Sequence, residues 1–544
     1  MGVNYYMIFV LWTCTSLVRG QIFSSVNHVE TLYDEEGRLT RALRRYTETS
    51  IKNGTEVGGQ VLQFVENISK QRSAVADAGL WVGHPINAFR LIRRVAVDWE
   101  QLFGEIFCDE CPDTLAAKGL QISKKIVVKT VKIWPSKIDI LGAARGLLRL
   151  WRIYNLDLPQ LFNGTILEES TDPLSWREML TIAKGAIDVG MLYEGITWMT
   201  SLLDVYNKGQ LALEVRFEEG ILRRNLASAY YQVGMPRKAV EVLEKSDPSN
   251  RGSNYGFYKA RADAIPIGTP RAELEAPKPT DKYQAAYEAL CRGPLQPAKM
   301  QARLKCFLKE TSVKFYMIKA EVANLKPIII IYHNIISSNE IELLRKEANN
   351  SLTFSMIYAE SGQSFVAHTR VSQTAWLKDT DYPTLLRLNK RISTVTGLDT
   401  TFREYRSSVE RYQVVNYGIG GEYGPHNDHL GKPLWEGNGL PEVEEINDSG
   451  DRIATWMFYL SPVSAGGATV FPLLKARVPV TEGSAVFWYN TLPNGSPNRR
   501  MMHAGCPVLL GSKWVANKWI RQHGQIFRTL CGRTKKTNFG LENI

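Results

Sequence analysis

The chain has 544 residues, of which 44% are hydrophobic and 22% charged, with a formal net charge of +11. That length calls for several domains with separate cores, and the balance is that of ordinary globular protein. The basic residues are scattered, with no run interleaved by aromatics, which argues for solvated surface and against nucleic acid as a partner.

The first residues, MGVNYYMIFVLWTCTSLVRGQ, carry an apolar stretch over 5–13 and small or polar residues before Gln21. This is the layout of a secretory signal peptide over 1–20, too short to span a bilayer, although its opening residues lack a Lys or Arg. No later segment reaches membrane-spanning length. Beyond Cys14 the cysteines are Cys108, Cys111, Cys291, Cys306, Cys506 and Cys531, an even set that favours disulfides in an oxidising compartment. Neighbours in sequence would pair as 108–111, 291–306 and 506–531. Asn53, Asn67, Asn163, Asn349, Asn447 and Asn494 head N-x-S/T sequons, as suits a lumenal chain, with Asn494 weakened by Pro497. The chain stops at LENI without a retention tetrapeptide, so export or retention by a partner is expected.

From Val26 to about Arg94 the pattern is helical. Val26, Val29, Leu32, Tyr33, Leu39, Leu43 and Tyr46 recur at three- and four-residue steps, a stripe that serves either a partner helix or its own core. Over 174–245, two stretches each give a pair of helices broken at a glycine turn, Gly190 in one and Gly234-Met235-Pro236 in the other. These resemble tetratricopeptide units, whose arrays present a concave face to peptides; a plain helical spacer would give the same periodicity. Residues 246–285 carry Pro, Gly and charge without periodicity and read as a linker. Past Lys326 short β-rich runs follow, among them PIIIIYH, RYQVVNYG, ATWMFYLS, GATVFP, GSAVFWYN and KWVANKWI, separated by turn residues. They predict a sandwich or barrel, with helices over 338–350 and 382–396.

Within this region YGPHNDHLGKP (423–433) holds two histidines and an aspartate. On an extended strand end, positions i and i+2 point the same way, so His426 and Asp428 can share one ion while His429 projects oppositely. His503, some 75 residues on and beside another strand, is the candidate third ligand. Two His and one carboxylate with open positions form the facial triad of non-haem Fe(II) oxygenases. Lys513, ten residues further, offers an ammonium for the remote carboxylate of 2-oxoglutarate.

VVNYGIGGEYGPHNDH, RIATWMFYLSPVSAGGATVFP, GSAVFWYN and HAGCPVLLGSKWVANKW resemble the catalytic domain of collagen-type prolyl 4-hydroxylase alpha subunits. VGHPINAFRLIRR (82–94) resembles that family's N-terminal domain, and the tetratricopeptide-like middle its peptide-binding domain. The resemblance implies a multidomain α+β chain: an N-terminal helical dimerisation domain (21–150), a peptide-substrate domain (151–245), the linker, and a double-stranded β-helix (jelly-roll) dioxygenase domain (286–544, core 326–530). His426, Asp428 and His503 would hold Fe(II). Lys513 would anchor 2-oxoglutarate with help from Tyr417 and Thr469, and Trp519 would line the pocket. Tyr193, Tyr231, Tyr423 and Arg452 would contact substrate. The implied reaction is 4-hydroxylation of peptidyl proline in the endoplasmic reticulum lumen, using O2 and ascorbate. Protein disulfide isomerase would complete an alpha2beta2 tetramer and supply retention, and procollagen would be the substrate. The implied disulfides are Cys291–Cys306 and Cys506–Cys531.

Three departures stand out. Arg521 occupies a position eight residues past the lysine where the family usually has His. Asn225 and Ser228 stand where more tyrosines are expected, which weakens the case for (Pro-Pro-Gly) repeats. The loop from Asp428 to Arg452 is long. A lysyl hydroxylase is the alternative enzyme, disfavoured by Lys513 and the N-terminal domain. A weakly active paralogue acting as a peptide-binding chaperone is the alternative outside catalysis.

Overall fold

The computed structural model describes residues 22–106, 134–208, 216–293 and 304–528, apart from 55–56, 247, 267–268, 271–272, 276–281, 356, 359–363, 366–369 and 431–448, together with 531–532, 534 and 539–540. The expected signal peptide, Cys108 and Cys111, the Asn447 sequon and most of the loop after Asp428 lie outside the described residues. Residues 31–278 form one compact unit, and residues 279–544 with 24–30 form another. No helix among the described residues is long and apolar enough to cross a membrane.

The first unit is helical. In α1 (Val26–Lys52), from residue 31 on, the stripe residues Leu32, Tyr33, Leu39 and Leu43 are buried within the chain itself. Of the two readings of that stripe, core packing is the one realised here. The run α2 (Gly59–Ser73), α3 (Pro85–Arg93) and α4 (Lys137–Tyr154) precedes the predicted hairpins. These are α5 (Trp176–Asp188) with α6 (Leu192–Asn207), and α7 (Arg216–Gln232) with α8 (Pro236–Glu244). The helices from α5 onward pack each on the next. Gly190 and Gly234 take φ of 78° and 76°, the left-handed conformation that lets each pair reverse without a Cβ clash. Ser175 and Glu178 close a capping box at the start of α5. Glu178 also takes the guanidinium of Arg90, from the VGHPINAFRLIRR segment, at 2.9 Å.

The linker expectation needs correction. Residues Tyr255–Asp263 form α9, which packs on α8 and continues the array. Tyr258 is the single fully buried residue of that helix, so it carries no apolar periodicity to read.

The second unit is a β-sandwich flanked by helices. Its strands are β1 (Cys306–Glu310), β2 (Met317–Leu325), β3 (Ile328–His333), β4 (Thr353–Phe354), β5 (Ser372–Leu377), β6 (Tyr412–Tyr417), β7 (Tyr423–His426), β8 (Arg452–Tyr459), β9 (Val463–Gly466), β10 (Thr469–Phe471), β11 (Ala476–Val478), β12 (Ala485–Tyr489), β13 (His503–Gly505), β14 (Val508–Gly511) and β15 (Trp514–Arg521). One sheet runs β1-β2-β3-β12-β8-β15-β6-β5-β4, and a second runs β7-β13-β10-β11. Every pairing in both is antiparallel. Alternation sorts the side chains to two cores. Ile330, Tyr332, Trp456, Phe458 and Phe487 pack with Ile341, Leu344, Leu385 and Leu388 of α11 (Ser338–Asn349) and α12 (Pro383–Thr396), both close to the predicted bounds. Ile329, Ile331, Met457, Tyr459, Phe471, Val478 and Trp488 fill the space between the sheets. This is the jelly-roll architecture expected.

The disulfide expectation is overturned. Cys291 bonds Cys506, while Cys306 and Cys531 are free and exposed. Cys291 sits near the end of α10 (Lys282–Arg292), which packs on β7, β10 and β11, and Cys506 is the residue that follows β13. Contact across the fold, not separation in sequence, selects the pair.

Candidate active site

β7 and β13 are paired antiparallel with His426 opposite His503, and the chain turns out of β7 to bring Asp428 beside both. Asp428 Oδ1 lies 3.8 Å from His426 Nε2, and its Oδ2 lies 3.6 Å from His503 Nε2. One ligand atom from each residue falls within 4.8 Å of the others. Each imidazole is aimed by its other nitrogen: His426 Nδ1 donates to the Gly424 carbonyl at 2.8 Å and His503 Nδ1 to the Met501 carbonyl at 3.0 Å. Nε2 of both rings is thereby left as the acceptor, the form a metal requires. His429 stands outside the cluster, with both ring nitrogens buried and unpartnered among the described residues.

Burial pushes the His426 imidazole down to about 3, so it is neutral near pH 7. Burial alone would raise the Asp428 carboxyl, but His503, His426 and Arg452 beside it and the Thr455 hydrogen bond hold it below its usual range. Thr455 Oγ1 donates to Asp428 Oδ2 at 2.7 Å, and Asn490 Nδ2 donates to Thr455 Oγ1 at 2.8 Å. The Tyr423 ring stacks on His426 at 3.5 Å, and Trp488 meets His503 edge-on at 4.8 Å. Two imidazole nitrogens and one ionised carboxylate, braced on several sides, fit a divalent first-row metal with positions left open.

A cavity of about 450 Å³ opens beside these three residues and is also lined by Lys513. Lys513 is 1% exposed, no carboxylate pairs with it among the described residues, and burial lowers its pKa to about 7. A buried ammonium without a counter-ion is costly, which marks it as built for an anionic ligand. Gly505 borders the same space: a Cβ there would stand in ordinary contact, 3.6 Å from both Lys513 Nζ and the Tyr417 hydroxyl. A cation and a metal-ligand set lining one cavity match a dicarboxylate that spans between them.

Tyr417, Thr469, Trp519, Tyr423 and Arg452 all line this cavity. Thr469 accepts from the Tyr459 hydroxyl at 2.8 Å. Arg452 is no surface charge: Glu410 takes it through two hydrogen bonds of 2.6 and 2.7 Å, and its guanidinium lies 3.7 Å over the Trp519 ring. Arg521 does not line the cavity. It donates to Glu410 at 2.7 Å and to the Gly450 carbonyl at 2.9 Å, about 26 Å of strand away from Lys513. Tyr193 and Tyr231 belong to the helical unit, where Tyr231 stacks on Tyr258 at 4.9 Å. Asn225 donates to its own helix at the Ile221 carbonyl, and Ser228 accepts from Gln232. Sequence reasoning missed Thr455, Asn490 and Glu410. Thr455 alone leaves a trace, as a polar residue on the inward face of an otherwise apolar strand.

An antiparallel double sheet carrying a His-Asp-His set and a buried lysine in one cavity defines an Fe(II)- and 2-oxoglutarate-dependent oxygenase. Residues 412–521 match the 2OG-Fe(II) oxygenase superfamily, and residues 25–168 match the family described as Prolyl 4-Hydroxylase alpha-subunit, N-terminal region. The chain is 33% identical to prolyl 4-hydroxylase subunit alpha-1 of Mus musculus over 95% of this chain and 96% of that one. Identity to subunit alpha-2 of Caenorhabditis elegans is 31%, covering 96% of each chain. Identity to subunit alpha-3 of Homo sapiens is 32%, covering 94% of each. The chain belongs to the prolyl 4-hydroxylase alpha-subunit family.

Proposed function

We propose that this chain is the catalytic alpha subunit of a procollagen-type proline 4-dioxygenase, acting in the endoplasmic reticulum lumen with ascorbate and with protein disulfide isomerase as companion subunit in an alpha2beta2 tetramer. The observation that carries the reading is the uncompensated Lys513 lining the same cavity as His426, Asp428 and His503. The Cys291–Cys506 bond and the sequons support an oxidising, glycosylating compartment.

Bound iron and 2-oxoglutarate would supply the oxidation, with O2 consumed, 2-oxoglutarate decarboxylated to succinate and one oxygen passed to C4 of a peptidyl proline. The protein's part is placement. His426, Asp428 and His503 would hold the metal by one face. Lys513 would pair the far carboxylate of the co-substrate, with the Tyr417 and Thr469 hydroxyls beside it. Trp488 and Met457, both buried, give the cavity apolar wall beside these groups. Tyr423, stacked on His426, and Trp519, beneath the Arg452 guanidinium, line the cavity where the peptide would enter, and Arg452, fixed by Glu410, offers donors to peptide carbonyls. Tyr193 and Tyr231 would hold more distant substrate residues.

A second reading concerns substrate. The side chains of Asn225 and Ser228 make hydrogen bonds within their own helix and offer no aromatic face, which favours secreted proteins other than (Pro-Pro-Gly) collagens. The test offers the purified complex collagen-like and non-collagen peptides with Fe(II), 2-oxoglutarate and ascorbate, and reads proline oxidation by mass spectrometry. Succinate release without oxidised proline on either peptide class would refute the assignment.

A further inference from the structure

The second sheet runs β7-β13-β10-β11, so the strand that carries His426 is an edge strand. Its outer side meets an isolated bridge from Arg370 to Tyr423. Its pairing with β13 is thin: Tyr423 lies opposite Gly505 and His426 opposite His503, with a register shift between the two pairs. A short, irregular edge strand opens easily, and a metal ligand on it needs a brace from outside the sheet. Helix α10 supplies one. Tyr287 and Cys291 stand four residues apart on it and share one face, and both are buried. The Tyr287 hydroxyl donates to Glu422 Oε2 at 2.6 Å, with the Gly505 carbonyl 3.5 Å away. Cys291 is bonded to Cys506, the residue that follows β13. One helix face is thus fastened to both histidine-bearing strands.

The path from that bond to the site is short. Glu422 directly precedes β7, and its own carbonyl takes the Val371 N–H at 2.9 Å. The next residue, Tyr423, is the ring stacked on His426 at 3.5 Å. Packing does not explain the hydroxyl, since a phenylalanine ring would fill the same space; what the oxygen adds is a short, directional bond to a carboxylate. Helix α10 also lies outside residues 412–521, the part that matches the oxygenase superfamily, so the brace is added to that core and not drawn from it. We infer that Tyr287 and Glu422 are a positioning pair for the metal site. Through them α10 fixes β7, and with it Tyr423 and His426, against β13 and His503. Neither Tyr287 nor Glu422 lines the cavity. The inference rests on the metal role of His426, Asp428 and His503.

The test titrates the full chain with Co(II), a spectroscopic stand-in for Fe(II). It compares wild type with Tyr287→Phe, Glu422→Ala, Glu422→Gln and the double variant Tyr287→Phe/Glu422→Ala. Tyr287→Phe and Glu422→Ala should each lower Co(II) affinity by roughly tenfold, and the double variant no further than either single one. Glu422→Gln keeps an acceptor for the hydroxyl and should bind Co(II) as wild type does. The Co(II) absorption bands, which report ligand geometry, should change in the first two variants and hold in Glu422→Gln. In the metal-free chain, amide exchange should quicken over 422–426 in Tyr287→Phe and stay unchanged across β8 and β12. Glu422 is partly exposed, so Glu422→Ala carries the same comparison if Tyr287→Phe does not fold. Unchanged Co(II) affinity in Tyr287→Phe and Glu422→Ala overturns the positioning role and leaves the metal site standing. Losses that add in the double variant, or exchange that quickens evenly through the sandwich, reduce the pair to ordinary packing and overturn it as well. A wild type that binds no Co(II) overturns the metal reading, and the positioning role with it.

Discussion

Thr455 Oγ1 stands 2.7 Å from Asp428 Oδ2 and donates to it, while Asn490 holds the same hydroxyl from behind. The chain of two bonds occupies one lone pair of the carboxylate and fixes its plane between the two imidazoles. Partners of this kind commonly change metal affinity by 10- to 100-fold. Thr455→Val keeps the shape and deletes the donor, so Co(II) or Fe(II) affinity should fall by about that range with the melting temperature little changed. Equal affinities in titrations of variant and wild type would assign Thr455 to packing alone.

Ligand geometry separates the histidines. His426→Ala or His503→Ala removes one of three metal ligands and should abolish 2-oxoglutarate decarboxylation. His429 lies outside the cluster, and His429→Ala should keep most of it. Equal loss at His429 in a decarboxylation assay would overturn the ligand set.

Lys513 links co-substrate binding to pH. Its folded pKa is lowered to about 7 by burial, so below pH 7 the free site already carries the ammonium. Above pH 7 the site must take up a proton to bind a carboxylate, and 2-oxoglutarate affinity should weaken as pH rises from 7 to 9. Calorimetry in buffers of different ionisation heat should show proton uptake at pH 8. Lys513→Met should remove both the affinity, by roughly 10- to 100-fold, and its pH dependence. A pH-independent wild-type affinity would show that Lys513 stays charged in the free site.

Much of this was legible because β-sheet periodicity is strict. In RIATWMFY the alternation sends Trp456 and Phe458 to the helix-side core and Met457 and Tyr459 to the core between the sheets. His426 and Asp428 were legible as a pair from their spacing, although Asp428 lies past the end of β7 and strand alternation does not place it. What failed depended on contacts distant in sequence. Cys291 pairs with Cys506 across 215 residues, a contact that no spacing rule encodes. Glu410 left no signal because its role exists only where β8 and β15 bring Arg452 and Arg521 together, at a register shift near the end of their pairing.

Glu410 joins those two arginines; burial alone would raise its carboxyl, but the two guanidiniums bonded to it hold it below the usual range. Removing one member of such a buried group leaves uncompensated charge, at a typical cost of about 3–5 kcal/mol. Glu410→Gln should lower the melting temperature by several degrees and raise the KM for peptide, because Arg452 loses its fixed position over Trp519. A variant that melts like wild type would show that solvent already compensates the arginines.

Gly505 offers a test of the cavity that spares every charged group. Its missing Cβ keeps clear a point 3.6 Å from Lys513 Nζ and 3.6 Å from the Tyr417 hydroxyl. Gly505→Ala places a methyl there without touching the three metal ligands. Its backbone φ is not in the left-handed region, so the substitution brings no conformational strain of that kind. The 2-oxoglutarate KM should rise at least tenfold while metal affinity and peptide binding hold. A smaller dicarboxylate inhibitor such as oxalate, which need not reach Lys513, should bind the variant as it binds wild type. Parallel losses for both ligands would mean that the methyl disturbs β13 and His503 and not the co-substrate's own space.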